Sequence, residues 1–174
     1  MRPVLLLDPR PEWPQQFRDA AAQLRTAFAD TPIHVEHMGS TAVPNLCAKP
    51  ILDILLGAPD FLSITSRIPQ LGALGYRYKP EHERELPERR YFSRPATDTP
   101  AVHLHAVVHD SPFWRRHLAF RDALRSDPEL ARQYAELKRR LATLHADDRA
   151  AYTNAKGPFI AQVLATLDAS RLPT

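Results

Sequence analysis

Apolar residues recur at helical spacing from Trp13 through Phe17, Ala21 and Leu24 to Phe28, leaving Arg18, Asp19 and Arg25 outside the stripe. This spacing predicts a helix over residues 11–30, closed by Pro32. Residues 33–39 alternate and predict a short strand running into a Gly39-Ser40 turn. Residues 50–57, PILDILLG, are apolar on both faces, the pattern of a central strand covered on two sides. They nevertheless hold one carboxylate, Asp53. Residues 59–76 predict a second helix, capped at Asp60 and finished at Gly72 or Gly75. Short strands are expected at 76–79 and 89–94, flanking a charged loop over 80–88.

The next strand, 101–108, alternates so that His103 and His105 project from one face. Ser111-Pro112 and Asp127-Pro128 each open a helix. The second of these carries an apolar stripe at Leu130, Tyr134, Leu137, Leu141 and Leu144, and a last helix is expected over 157–169. The order predicts an α+β fold: a mixed sheet flanked by helices, with a C-terminal group of helices, in a single domain over residues 1–174.

Composition narrows the function class. Hydrophobic content of 44% and charged content of 25% are those of a water-soluble globular domain. No apolar run approaches the roughly 20 residues needed to span a bilayer, so no membrane role is expected. The first residues lack the pattern of a secretion signal, and one cysteine, Cys47, permits no internal disulfide. A cytoplasmic location is therefore expected. A net charge of +3 falls well short of a surface built to wrap nucleic acid.

Three groups of residues carry candidate chemistry. A buried carboxylate is costly unless paired, so Asp53 is either a structural partner of Lys49 or a backbone amide, or a metal or phosphate-chemistry ligand. Just upstream, the Gly39-Ser40-Thr41 turn can present amides and hydroxyls to an anion. Paired imidazoles at His103 and His105 can share a metal, grip a phosphate or act as acid and base, and His37 joins them if the two strands are neighbours. Among the basic residues, Lys49, Arg89, Arg90 and Arg94 lie next to or opposite the turn. Arg121, close to the apolar side of its helix, needs an anionic partner, and adjacent Asp122 is expected to point elsewhere. Lys138 and Lys156 lie on the later helices, where cations mostly form solvated faces.

The stretches DPRPEWPQQF, VEHMGSTAVPNLCAKPILDI, HLHAVV, FWRRHLAFRDALRSDPELARQYAELKRRLA and YTNAKGPFIAQVL resemble the GrpB family, in its order and over nearly the whole chain. That resemblance implies a nucleotidyltransferase-like (polymerase-β-like) fold, in which Gly39 and Ser40 would hold nucleotide phosphates. Asp53 would be the first metal carboxylate. The second, due at position 55, is Leu55 here, and the later strand offers His103 and His105 where a third would stand. The implied cofactor is a divalent metal, Mg²⁺ or Mn²⁺, held by Asp53, His37, His103 and His105, and the imidazoles make Zn²⁺ or Ni²⁺ conceivable. Lys49, Arg121 and Lys156, with Ser40 and Thr41, would hold a phosphorylated ligand. Two activities follow as expectations. One is metal-dependent nucleotidyl or phosphoryl transfer using Asp53, His103 and His105; the other is a non-catalytic module that binds a nucleotide or coenzyme A-related ligand or serves as an accessory protein. The family also occurs fused behind dephospho-CoA kinase, which makes that enzyme an expected partner.

Overall fold

The computed structural model describes residues 3–169, so residues 1, 2 and 170–174 of the expected single domain lie outside the described residues. The first helix, α1, runs Trp13–Ala27 and buries Trp13, Ala20, Ala21 and Leu24. Strand β1, His34–Met38, follows, then a short 3-10 turn over Ser40–Ala42 and strand β2, Ile51–Ala58.

The single helix expected over 59–76 is two: α2, Phe61–Thr65, and α3, Ile68–Ala73. Asp60 does cap the first, its carboxylate accepting from the Ser63 amide at 2.7 Å. Pro69 forces the break. It has no N–H to give the residue-65 carbonyl and its ring collides with that group, so the helix must restart with proline in its first turn. Gly75, at φ +84°, then turns the chain into strand β3, Arg77–Tyr78.

Strands β4, Arg90–Arg94, and β5, Ala101–Val108, complete a five-stranded sheet of order β1-β2-β5-β4-β3. Only β2 and β5 run parallel; the other neighbours are antiparallel. Helices α4, Pro112–Ser126, and α5, Pro128–Leu144, begin at Ser111 and Asp127, whose side chains accept from the first-turn amides. A short helix that the sequence pattern did not predict, α6 (Arg149–Asn154), is capped by Asp148 and precedes α7, Gly157–Ala169. No described helix is long and apolar enough to cross a membrane.

The two faces of the sheet are covered differently. Leu52, Ile54, Leu56, Val102, Leu104, Ala106 and Phe92 pack under α1, α2 and α3. On the other face, Leu55, Met38 and Val107 pack against Phe113 and Trp114 of α4. A further cluster joins Val43, Leu46 and Cys47 of the segment after the turn to Leu124, Tyr134 and Ala135 of α4 and α5. Between that cluster and the middle of the sheet the second face stays open. Asp53, His103 and His105 lie in that opening.

Candidate functional site

The period of two along a strand places Asp53 and Leu55 of β2 on the same face as His103 and His105 of β5, in the pairs Asp53–His103 and Leu55–His105. Tyr91 of β4 lies opposite His105. The Asp53 carboxylate stands 3.3 Å from His103 Nδ1 and 3.8 Å from His105 Nε2. Burial works against its ionisation, yet hydrogen bonding and charge from the two imidazoles outweigh this and hold its pKa well below the usual carboxylate range.

His105 has a defined proton. Arg89 approaches its Nδ1 at 3.1 Å, and a guanidinium can only donate, so Nδ1 accepts and the ring proton sits on Nε2. That N–H, like the Arg89 Nε–H, is buried without a hydrogen-bond partner. Burial lowers the His105 pKa to about 4, with Asp53 opposing and Arg89 adding to the shift.

Over this floor lies a cleft of about 700 Å³, within the range of small-molecule sites. Ser40 and Thr41 line one side, Arg89 and Tyr91 another, and Lys138, Tyr152 and Lys156 of the C-terminal helices the third. Lys138 is almost completely buried, and its ammonium donates to Ser40 Oγ at 3.0 Å and to the Cys47 carbonyl. Lys49 and Lys156 both approach the Tyr152 ring, at 5.3 and 4.8 Å from its centroid. Burial pushes the pKa of Lys138 and of Lys156 down to about 8, the charge of Lys49 adding to the effect on Lys156. Lys49 is lowered for the same first reason.

Of the residues named from the sequence, Gly39, Ser40, Lys49, Asp53, His103, His105 and Lys156 lie together around the two adjoining cavities, with Thr41 at the rim. His37 does not join them. It pairs with Ile54 rather than Asp53, so it projects to the opposite face, where it stacks on Phe17 at 4.7 Å and bonds Thr41 Oγ1 at 2.9 Å. Arg121 is also engaged elsewhere: Glu36 at 2.6 Å, the His37 carbonyl at 2.9 Å, and Asp122, expected to point away, at 2.8 Å. Asp53 pairs with histidine rather than with Lys49.

The expected metal set does not fit a divalent cation as arranged. His37 is absent, Leu55 is core, and the lone pair of His105 faces Arg89 while its N–H faces Asp53. Among the described residues no three His, Cys, Asp or Glu side chains are grouped to hold a metal ion. Sequence reasoning missed Lys138, which it counted with solvated helical cations. The one local signal was its place on the same stripe as Tyr134 and Leu141.

Comparison with known proteins agrees with this architecture. The sequence model of one family, described as GrpB protein, matches residues 3–166. A UPF0157 protein of Pseudomonas aeruginosa is 40% identical over 98% of this chain and 70% of its own length. A UPF0157 protein of Halalkalibacterium halodurans is 35% identical over 96% and 84%. The crystal structure of conserved protein GrpB from Enterococcus faecalis superposes with a TM-score of 0.83 at 33% identity, covering 93% of this chain and 96% of that one. A dephospho-CoA kinase of Mycolicibacterium paratuberculosis is 27% identical over 90% of this chain, a match that spans 44% of the kinase.

Proposed function

This chain belongs to the GrpB family, and we propose that its cleft binds a small phosphate-bearing molecule, of the nucleotide or coenzyme A-related class, without a divalent metal. The observation that carries this reading is the charge lining. Five cations, Lys49, Arg89, Lys138, Arg149 and Lys156, face the cleft with two carboxylates, Asp53 and Glu85. Among the described residues none of the five has a carboxylate within 4.0 Å. Elsewhere among the described residues, cations without a carboxylate partner such as Arg18, Arg77 and Arg139 are exposed, whereas buried Arg121 is paired. Half-buried lysines left unpaired and close together repel one another, and a multiply charged anion relieves that cost. The match to a dephospho-CoA kinase supports a coenzyme A-related ligand as one candidate.

Titration calorimetry with pyrophosphate, nucleotides and coenzyme A fragments tests the proposal. Saturable binding in the presence of a chelator, weakened tenfold or more by Lys49→Ala or Lys156→Ala and kept by Asp53→Asn, is the expected result. Absence of any anion binding would overturn it.

A second reading is favoured by one feature, the Asp53–His103 pair on the cleft floor, with about a third of the His103 side chain exposed to the opening. Here His103 takes the proton of an acceptor hydroxyl as its oxygen bonds to phosphorus and the bond to the departing phosphate oxygen breaks. Turnover that is lost in both Asp53→Asn and His103→Ala, with binding intact, would select this transferase reading over the module.

A further inference from the structure

A second pocket, of about 260 Å³, opens beside the cleft and shares Ser40, Asp53 and Lys156 with it. It lies between the end of β1 and helices α4, α5 and α7, and its apolar walls are Met38, Phe120, Leu124, Tyr134, Ile160 and Leu164. The three shared residues make the pair of cavities adjoining limbs of one site, a cationic limb and an apolar limb that meet at Ser40.

Much of the polar capacity of the apolar limb is already committed. Arg121 is held by Glu36, Asp122 and the His37 carbonyl; Arg116 bonds Glu88 at 3.0 Å; His117 Nδ1 donates to the Phe113 carbonyl at 2.8 Å. A nucleobase lodged here would bury ring N–H and carbonyl groups with few partners, and each group left unpaired weakens binding. Hydrocarbon incurs no such cost and gains from leaving water.

Resting on the anion-binding reading above, we infer that the ligand is a phosphomonoester with a short branched or aryl hydrocarbon next to the phosphate. The phosphate sits among Lys49, Lys138 and Lys156, and the hydrocarbon enters the pocket between Phe120 and Leu164. In a nucleotide-containing ligand, the base then lies outside this pocket.

The test compares inorganic phosphate, glycerol 3-phosphate, neopentyl phosphate and phosphopantetheine, whose phosphate stands one carbon from a gem-dimethyl centre. Neopentyl phosphate and phosphopantetheine are expected to bind about tenfold or more tighter than the two polar probes. Leu164→Trp, which fills the pocket with apolar bulk, should abolish that preference and leave inorganic phosphate affinity unchanged. Methyl NMR of the unmodified protein gives an independent readout: the Ile160 and Leu164 signals should shift with neopentyl phosphate and not with inorganic phosphate. Equal affinity for polar and apolar probes, or methyl signals that do not distinguish them, overturns this inference and leaves anion binding standing. No binding of any phosphate overturns the function proposed above, and this inference with it.

Discussion

Lys138 reaches back across 98 positions to donate its ammonium proton to the Ser40 hydroxyl at 3.0 Å. The bond fastens helix α5 to the turn that carries Gly39 and Ser40, and it places a nearly buried cation at the joint of the two pockets. Burial lowers both Lys138 and Lys156 from an ordinary 10.5 to about 8 in the folded chain. Between those pH values the unfolded chain holds more protons than the folded one, so ligand-free stability should rise as pH goes from about 8 to 10.5. Below about 8 the penalty is fully present. Urea unfolding at pH 7.5 and 9.5 should show this rise, and Lys138→Met should reduce it, Lys156 and Lys49 supplying the remainder. An unchanged slope in Lys138→Met would mean that the buried ammonium is not the source.

Anion affinity should run the other way. A bound phosphate favours the charged lysines, so binding should take up protons near pH 8 and weaken as pH rises through that value. Calorimetry in two buffers of different ionisation enthalpy measures the uptake. Binding that is flat from pH 7 to 9.5 would exclude Lys138 and Lys156 from the site.

Gly39 sits at φ +71°, and a Cβ built on it would lie 2.5 Å from Asp53 Oδ2. Gly39→Ala is therefore strained twice, by its backbone and by the carboxylate, and should destabilise by about 2 kcal/mol or more. The double variant with Asp53→Ala should recover the part that comes from the clash. Strict additivity in urea unfolding would show that the close approach is not what requires glycine.

Arg89→Met removes the donor that fixes the His105 tautomer. Its pKa should then move up from about 4 toward the ordinary 6.5, since one cause of the lowering is gone while Asp53 still favours the charged ring. Nitrogen chemical shifts of the imidazole report both the pKa and the change in tautomer.

Leu55→Asp restores the carboxylate that the resemblance leads one to expect. Leu55 is completely buried among Met38, Val107, Phe113 and Trp114. An aspartate there should cost roughly 4 kcal/mol and should not create magnesium-dependent activity. A stable variant that gains such activity would reopen the metal reading.

The period-two pattern of β5 was enough to put His103 and His105 on one face, because that rule is local to the strand; that Asp53 of β2 shares this face depends on the parallel register Asp53–His103. His37 escaped it. Its strand is antiparallel to β2, and only the register, His37 opposite Ile54, decides that it faces α1. Pro69 was a visible local signal for two short helices in place of one. Lys138 was legible only as an amphipathic-helix residue, since its partner at Ser40 is supplied by tertiary docking. The pairing of Arg121 with Glu36 across 85 positions was hidden for the same reason.

The cleft is drawn from both ends of the chain, with its floor from residues 40–105 and its far wall from Lys138, Tyr152 and Lys156. A ribosome would deliver the Asp53–His103 pair well before the lysines that complete the anion site. A nascent or truncated chain ending ahead of α5 would carry the sheet face with no third wall, and its apolar patch around Val43 and Leu46 would lose the cover of Tyr134 and Ala135. On the proposed reading, a ligand would meet a complete cleft only after residues 138–156 have docked onto the sheet face.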